Sequence, residues 1–151
     1  DKICELLLEW DIENAFIHGG GSSVKSIGNL SKYHGWPITV SNPSNPKQTL
    51  ADILIKDFSI SASGIKKGEH IFNPVLGQPV MKRNAAWAIA DSAAVSDALS
   101  TAFMIMDIDS ILELCRTNSD INAMIIEGEK EDLAKEDLII SDSFEGVKIL
   151  L

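Results

Sequence analysis

"SDALSTAFMIM", residues 96–106, decides the fold class of this 151-residue chain. Ala98, Leu99, Ala102, Phe103 and Met104 recur at helical spacing, so the stretch reads as a packed helix that Asp107 ends. "AAWAIAD" (85–91) before it and "INAMIIEG" (121–128) after it read as strands. Between them "DSILELCRT" (109–117) reads as a second short helix, capped by Asp109 or Ser110. Helices set among strands without regular βα alternation predict an α+β protein: a mixed or antiparallel sheet with a few packed helices.

Outward from there, Ile3, Leu6, Leu7 and Trp10 predict an amphipathic helix over the first ten residues. "NAFIH" (14–18) reads as a short strand stopped by Gly19, Gly20 and Gly21. "GWPITVSNP" (35–43) reads as a strand entered through Pro37, and "LADILIKDFSISASG" (50–64) as one long β-type run. Residues 68–80 are loop-rich, broken by Pro74, Gly77 and Pro79. The tail, 129–151, holds an acidic solvated segment and then one or two closing strands. With no repeat and no low-complexity linker, residues 1–151 read as a single domain.

Composition narrows the function. The chain is 45% hydrophobic and 23% charged, an ordinary globular balance. Thirteen basic against 22 acidic residues leave a formal charge of −9. That charge argues against nucleic acid or an anionic membrane surface as partner. A phosphate-bearing ligand would need a local cation or a backbone cradle. No apolar run is long enough to span a bilayer. Cys4 and Cys115 fit neither a zinc spacing nor a CxxC motif, and a disulfide between them is open. The chain starts at Asp1 rather than Met, so no leader can be read from it.

Three features carry chemistry. In "HGGGSSV" (18–24) a strand runs into glycines and serines whose backbone N–H groups can approach a phosphate, although neither GxGxxG nor a P-loop is present. The plain alternative is a turn. His70 in "GEHIFNP" can act as a general base, or it can hold its loop by hydrogen bonds. Asp97 and Thr101, one helical turn apart, form a hard oxygen pair suited to Mg2+. The alternative is that Asp97 caps the helix or sits at its positive end, with Thr101 bonding back to a carbonyl. Met104 and Met106 read as core.

Taken in order, "NAFIHGGGSS", "GWPITVSNP", "ISASG", "HIFNPVLGQPV" and "SDALSTAFMIM" resemble the second half of the FAD:protein FMN transferase (ApbE) family. That family typically reads N-A-L-I-N-x-G-G, G-W-x-V-x-I-x-x-P, I-S-T-S-G, H-I-I-D-P-x-x-G-x-P and A-D-A-L-[SA]-T-A. The matches cover most of residues 14 to 106. The resemblance implies part of an ApbE-like, T-fold-related α+β domain that binds FAD and Mg2+. It implies transfer of FMN from FAD to a Ser or Thr hydroxyl of an acceptor flavoprotein, with release of AMP. Asp97 and Thr101 match the family's metal-binding carboxylate and hydroxyl, and His70 its histidine, a base for the acceptor hydroxyl. Ser61, Ser63 and Gly64 match the loop lining the flavin site, with Gly19, Gly20, Gly21, Ser22 and His70 as further cofactor-binding residues.

This chain departs from the family pattern at Asn73, where the family has Asp, and at Ala62, where it has Thr. The stretch from Gly64 to His70 is short, and no segment resembles the family's M-D-x-G-G-x-A-K-G motif. The expectation is therefore half a transferase, partnered by its other half or by a second copy. A flavin-binding module without catalysis, or a structural fragment, is the alternative. The family is often exported and lipid-anchored; nothing here assigns a compartment.

Overall fold

The computed structural model describes residues 1–68, 70–142 and 146–151. Residue 69 of the 68–80 loop and residues 143–145 of the closing tail lie outside the described residues. In chain order the elements are α1 (Lys2–Glu9), β1 (Ala15–Gly19), β2 (Ser23–Ile27), β3 (Trp36–Ser41), β4 (Thr49–Ile55) and β5 (Ser59–Gly64). A 3-10 turn at Ile65–Lys67 precedes the two-residue strands β6 (Phe72–Asn73) and β7 (Gln78–Pro79). Then come β8 (Arg83–Ala90), α2 (Ala93–Ile105), α3 (Ile108–Thr117), β9 (Asn122–Glu127), β10 (Leu138–Ile140) and β11 (Val147–Ile149). The α+β expectation holds.

Six strands form one antiparallel sheet in the order β1-β2-β5-β8-β9-β10. Three form a second, β11-β4-β3. Every residue of β8 is buried, and its side chains alternate between the faces. Ala85, Trp87 and Ile89 join Ile53, Ile60 and Met124 between the two sheets. Ala86 and Ala88 join Phe103, Met104, Ile111 and Ile125 under α2 and α3. The result is three layers: small sheet, large sheet, helices.

Several expectations need correction. The run 50–64 is two strands in different sheets, because Asp57 takes a left-handed backbone (φ 62°) and turns the chain. That turn is held: Gly28 N donates to Asp57 Oδ1 at 2.7 Å and Lys25 Nζ to Asp57 O at 2.9 Å. The glycine stretch 19–21 does not merely end a strand; it heads a hairpin into β2, which pattern reading missed. Asp107 does not end α2 but caps α3, accepting from Ser110 N at 2.8 Å, so neither Asp109 nor Ser110 is the cap. Backbone and side-chain bonds from Ser110 hold the Asp107 carboxyl below its ordinary pKa. Helix α1 forms, yet Ile3, Leu6 and Trp10 of its apolar stripe stay exposed. Cys4 and Cys115 are free thiols in the interior, and burial pushes the Cys115 thiol up.

The acidic segment after β9 is solvated as expected but is pinned from beneath. Buried Asn42 donates to the carbonyls of Lys130 and Glu131, and Gln48 to that of Leu133. Among the described residues no helix is long and apolar enough to cross a membrane.

Candidate functional site

Helix α2 lies over β5 and β8, and small residues let it approach closely. On β5 the period-two alternation sends Ser59, Ser61 and Ser63 to the helix side. On α2, Ser96 and Ser100 share the facing stripe at i, i+4. The two rows meet through hydroxyl bonds: Ser96 Oγ to Ser59 Oγ at 3.0 Å, Ser61 Oγ to Ser96 Oγ at 2.8 Å, and Ser63 Oγ to Ser100 Oγ at 2.9 Å. Ser63 Oγ also lies 3.0 Å from Thr101 Oγ1. This seam sets the rotation of α2, and with it the direction of Asp97.

Asp97 does not cap the helix. Ser92 is the N-cap, accepting from Val95 N at 3.4 Å, and the Asp1 carboxylate accepts from Ala93 N and Ala94 N at 2.8 and 3.0 Å. The Asp97 carboxylate is exposed at the second turn, where Ser23 of β2 donates to its Oδ1 at 3.1 Å. Thr101, also exposed, bonds back weakly to Asp97 O at 3.4 Å. Among the described residues no Lys or Arg pairs with Asp97. The other end of α2 is clamped by buried Arg83, which donates to Phe103 O and, at 2.7 Å, to Met106 O. Glu127 balances that guanidinium at 3.4 Å; burial pushes its carboxyl up, but bonds from Lys82 and Arg83 outweigh this and lower its pKa.

A cleft of about 370 Å3 opens beside Asp97. The structure brings Gly21, Ser22, Ser63, Gly64, His70 and Asp97 together on its walls. Gly20 and Gly21 have positive φ (67° and 92°), which the hairpin turn requires. Gly64 is needed for a different reason: a Cβ there would sit 2.9 Å from Asn84 O on β8. Gly19 and Gly20 lie off the cleft walls. Ser61 is 1% exposed with its hydroxyl committed to Ser96, and it borders a smaller neighbouring cleft instead. Thr101 is joined to the cleft through Ser63.

His70 is exposed on the cleft rim, with Nδ1 2.8 Å from Gly68 O. A carbonyl only accepts, so Nδ1 carries the proton and Nε2 presents its lone pair in the neutral ring. Asn73 braces the loop that follows: its Oδ1 accepts from Val75 N at 2.9 Å and Leu76 N at 3.1 Å. An uncharged Asx side chain does this work as well as an ionised one. Pattern reading missed Pro43, Lys66, Ala85 and Trp87 on the cleft walls. Pro43 carries no local signal, since distant strands bring it there, and Lys66 reaches the wall in the turn that follows Gly64.

The donor set suits a hard cation. Asp97 and Thr101 offer a carboxylate and a hydroxyl one turn apart, the sparse protein ligation that Mg2+ accepts alongside water and phosphate oxygens. Among the described residues no group of three or more His, Cys, Asp or Glu could hold a metal alone.

Comparison with known proteins adds family and fold. Residues 1–125 match the sequence profile of the ApbE family. The flavin transferase ApbE from Vibrio cholerae superposes with a TM-score of 0.78 at 22% identity, over 96% of this chain and 48% of that one. The Pseudomonas stutzeri flavinyl transferase ApbE, apo form, gives 0.76 at 21%, over 96% and 46%. The ApbE protein from Thermotoga maritima gives 0.78 at 24%, over 96% and 48%. The chain thus shares their fold and spans about half the length of these structures. No curated protein matches it.

Proposed function

The chain belongs to the ApbE family, and from that premise we propose that it is one domain, the C-terminal half of a Mg2+-dependent transferase moving FMN from FAD to an acceptor flavoprotein. The observation that carries this reading is one cleft on which a carboxylate without an ion-pair partner among the described residues, a glycine turn and a histidine bonded through Nδ1 converge.

In this reading the Gly21–Ser22 turn and the Ser63–Gly64 strand end cradle the flavin-side phosphate by backbone approach. Asp97 and Thr101 would hold Mg2+, which when bound would supply positive charge against the pyrophosphate oxygens. His70 takes the proton of the acceptor Ser or Thr hydroxyl on Nε2 as the hydroxyl oxygen bonds to the FMN phosphorus. The bond from that phosphorus to the bridging oxygen breaks, and AMP departs with the electron pair. Ser23 and Ser63 orient Asp97 and Thr101 by their hydroxyl bonds.

The test uses the full-length protein that contains this chain, with FAD, Mg2+ and an acceptor flavoprotein. Acceptor-bound flavin fluorescence and AMP release are both followed. Asp97→Ala is expected to lower transfer at least roughly a hundredfold with an unchanged melting temperature, since the side chain is exposed. Full transfer by that variant overturns the assignment. A second reading, flavin binding without catalysis, is favoured by Ala62, which leaves one hydroxyl fewer on the cleft wall. It predicts FAD binding with no AMP release.

A further inference from the structure

Lys66 has no part in the scheme above, yet it stands where two clefts meet. It lies in the turn Ile65–Lys67 between β5 and His70. It lines the cleft that holds Asp97 and His70, and also a second cleft of about 440 Å3 walled by Ser44, Asn84, Glu129 and Glu131. Among the described residues only Lys66 and Pro43 border both, so a ligand extending from one cleft into the other passes Lys66. Among the described residues, Lys66 makes no ion pair and is the one Lys or Arg on the first cleft. Lys130, in the second cleft, is occupied by Asp137.

Charge locates the anion. Glu129 and Glu131 in the second cleft repel phosphate, within a chain of net charge −9. The divide between the clefts is where an unpaired cation is in reach of both. We propose that Lys66 is a substrate-binding residue that holds the departing phosphate of the dinucleotide, with the departing nucleoside in the Ser44–Asn84 cleft. This rests on the flavin-transfer reading. There the attacked phosphorus lies beside Asp97 and His70, in-line displacement turns the breaking bond away from the attacking hydroxyl, and the proposal places the departing phosphate at the divide. Negative charge grows on the departing phosphate oxygens as that bond breaks, and the ammonium donates hydrogen bonds to them.

The test compares wild type, Lys66→Ala and Lys66→Arg in the full-length protein, with AMP and free FMN as inhibitors of transfer. Lys66→Ala is expected to raise the KM for FAD and the inhibition constant for AMP by roughly tenfold or more, with FMN inhibition and melting temperature unchanged. Lys66→Arg restores most of the AMP affinity. Added salt weakens AMP inhibition of wild type more than of Lys66→Ala. Unchanged AMP inhibition in Lys66→Ala, or a loss of FMN inhibition equal to that of AMP, overturns the assignment while wild-type transfer stands. A wild-type protein that neither binds FAD nor transfers FMN overturns the flavin reading itself, and this one with it.

Discussion

On one face of the large sheet, Ile60, Trp87 and Met124 interlock with Ile53 and Leu50 of the small sheet. On the other, next to the cleft, Ser59, Ser61 and Ser63 meet Ser96 and Ser100 hydroxyl to hydroxyl. The apolar face is held by burial, which is strong but has no preferred direction. The hydroxyl seam contributes less per contact, yet each bond tolerates only a narrow range of distance and angle. The first face keeps the protein folded; the second fixes where α2 points Asp97. Stability and positioning are thereby assigned to opposite sides of one sheet.

The largest expected effect tests the apolar side. Ile53→Ala should cost about 2–5 kcal/mol in urea denaturation and leave the flavin affinity of the folded fraction unchanged. A flavin affinity that falls with stability would break the division between the faces. Ser96→Ala comes next: it leaves buried Ser61 without its hydroxyl partner and should cost about 1–3 kcal/mol. The Ser61→Ala, Ser96→Ala double variant should recover part of that loss, and a double-mutant cycle with no coupling would argue against a cooperative seam.

Ser63→Ala sharpens the comparison at the exposed end of the seam. Thermal stability should move by less than about 1 kcal/mol, while under the proposed function FAD binding in Mg2+ weakens roughly tenfold as Thr101 loses its orienting partner. Calorimetric titration in Mg2+ and in EDTA separates the two effects.

The smallest effect lies off both faces, at the α3 cap. Asp107 has a lowered pKa in the fold, so its contribution is present above the unfolded carboxylate pKa of about 3.9. It disappears as pH falls through the folded value. Wild type and Asp107→Ala should therefore differ in melting temperature at neutral pH and converge in acid. A difference that persists in acid would mean the side chain acts by packing instead.

Helices α2 and α3 and strands β1, β3, β8 and β9 were legible because periodicity is a local property. Asp97 and Thr101 were legible as a pair for the same reason: one helical turn puts them on one face. The β2 strand was not, because "SVKSI" is short and polar and becomes a strand by pairing with β1 and β5. The break at Asp57 was hidden within an unbroken β-type run, since the residue takes a conformation usually left to glycine and is held there by Gly28 and Lys25.

The order of its motifs and the periods of its elements therefore determined, from sequence, the family resemblance, the α+β class and the Asp97–Thr101 pair. Which serine faces the cleft and which the helix, where Lys66 stands, and whether Asp97 caps or faces the solvent were decided by folding. These depend on strand register and helix rotation between residues 35 to 74 positions apart, such as Ser61 with Ser96 and Ser23 with Asp97. No local pattern in the chain encodes a contact at that distance, because its geometry exists only once the layers have packed.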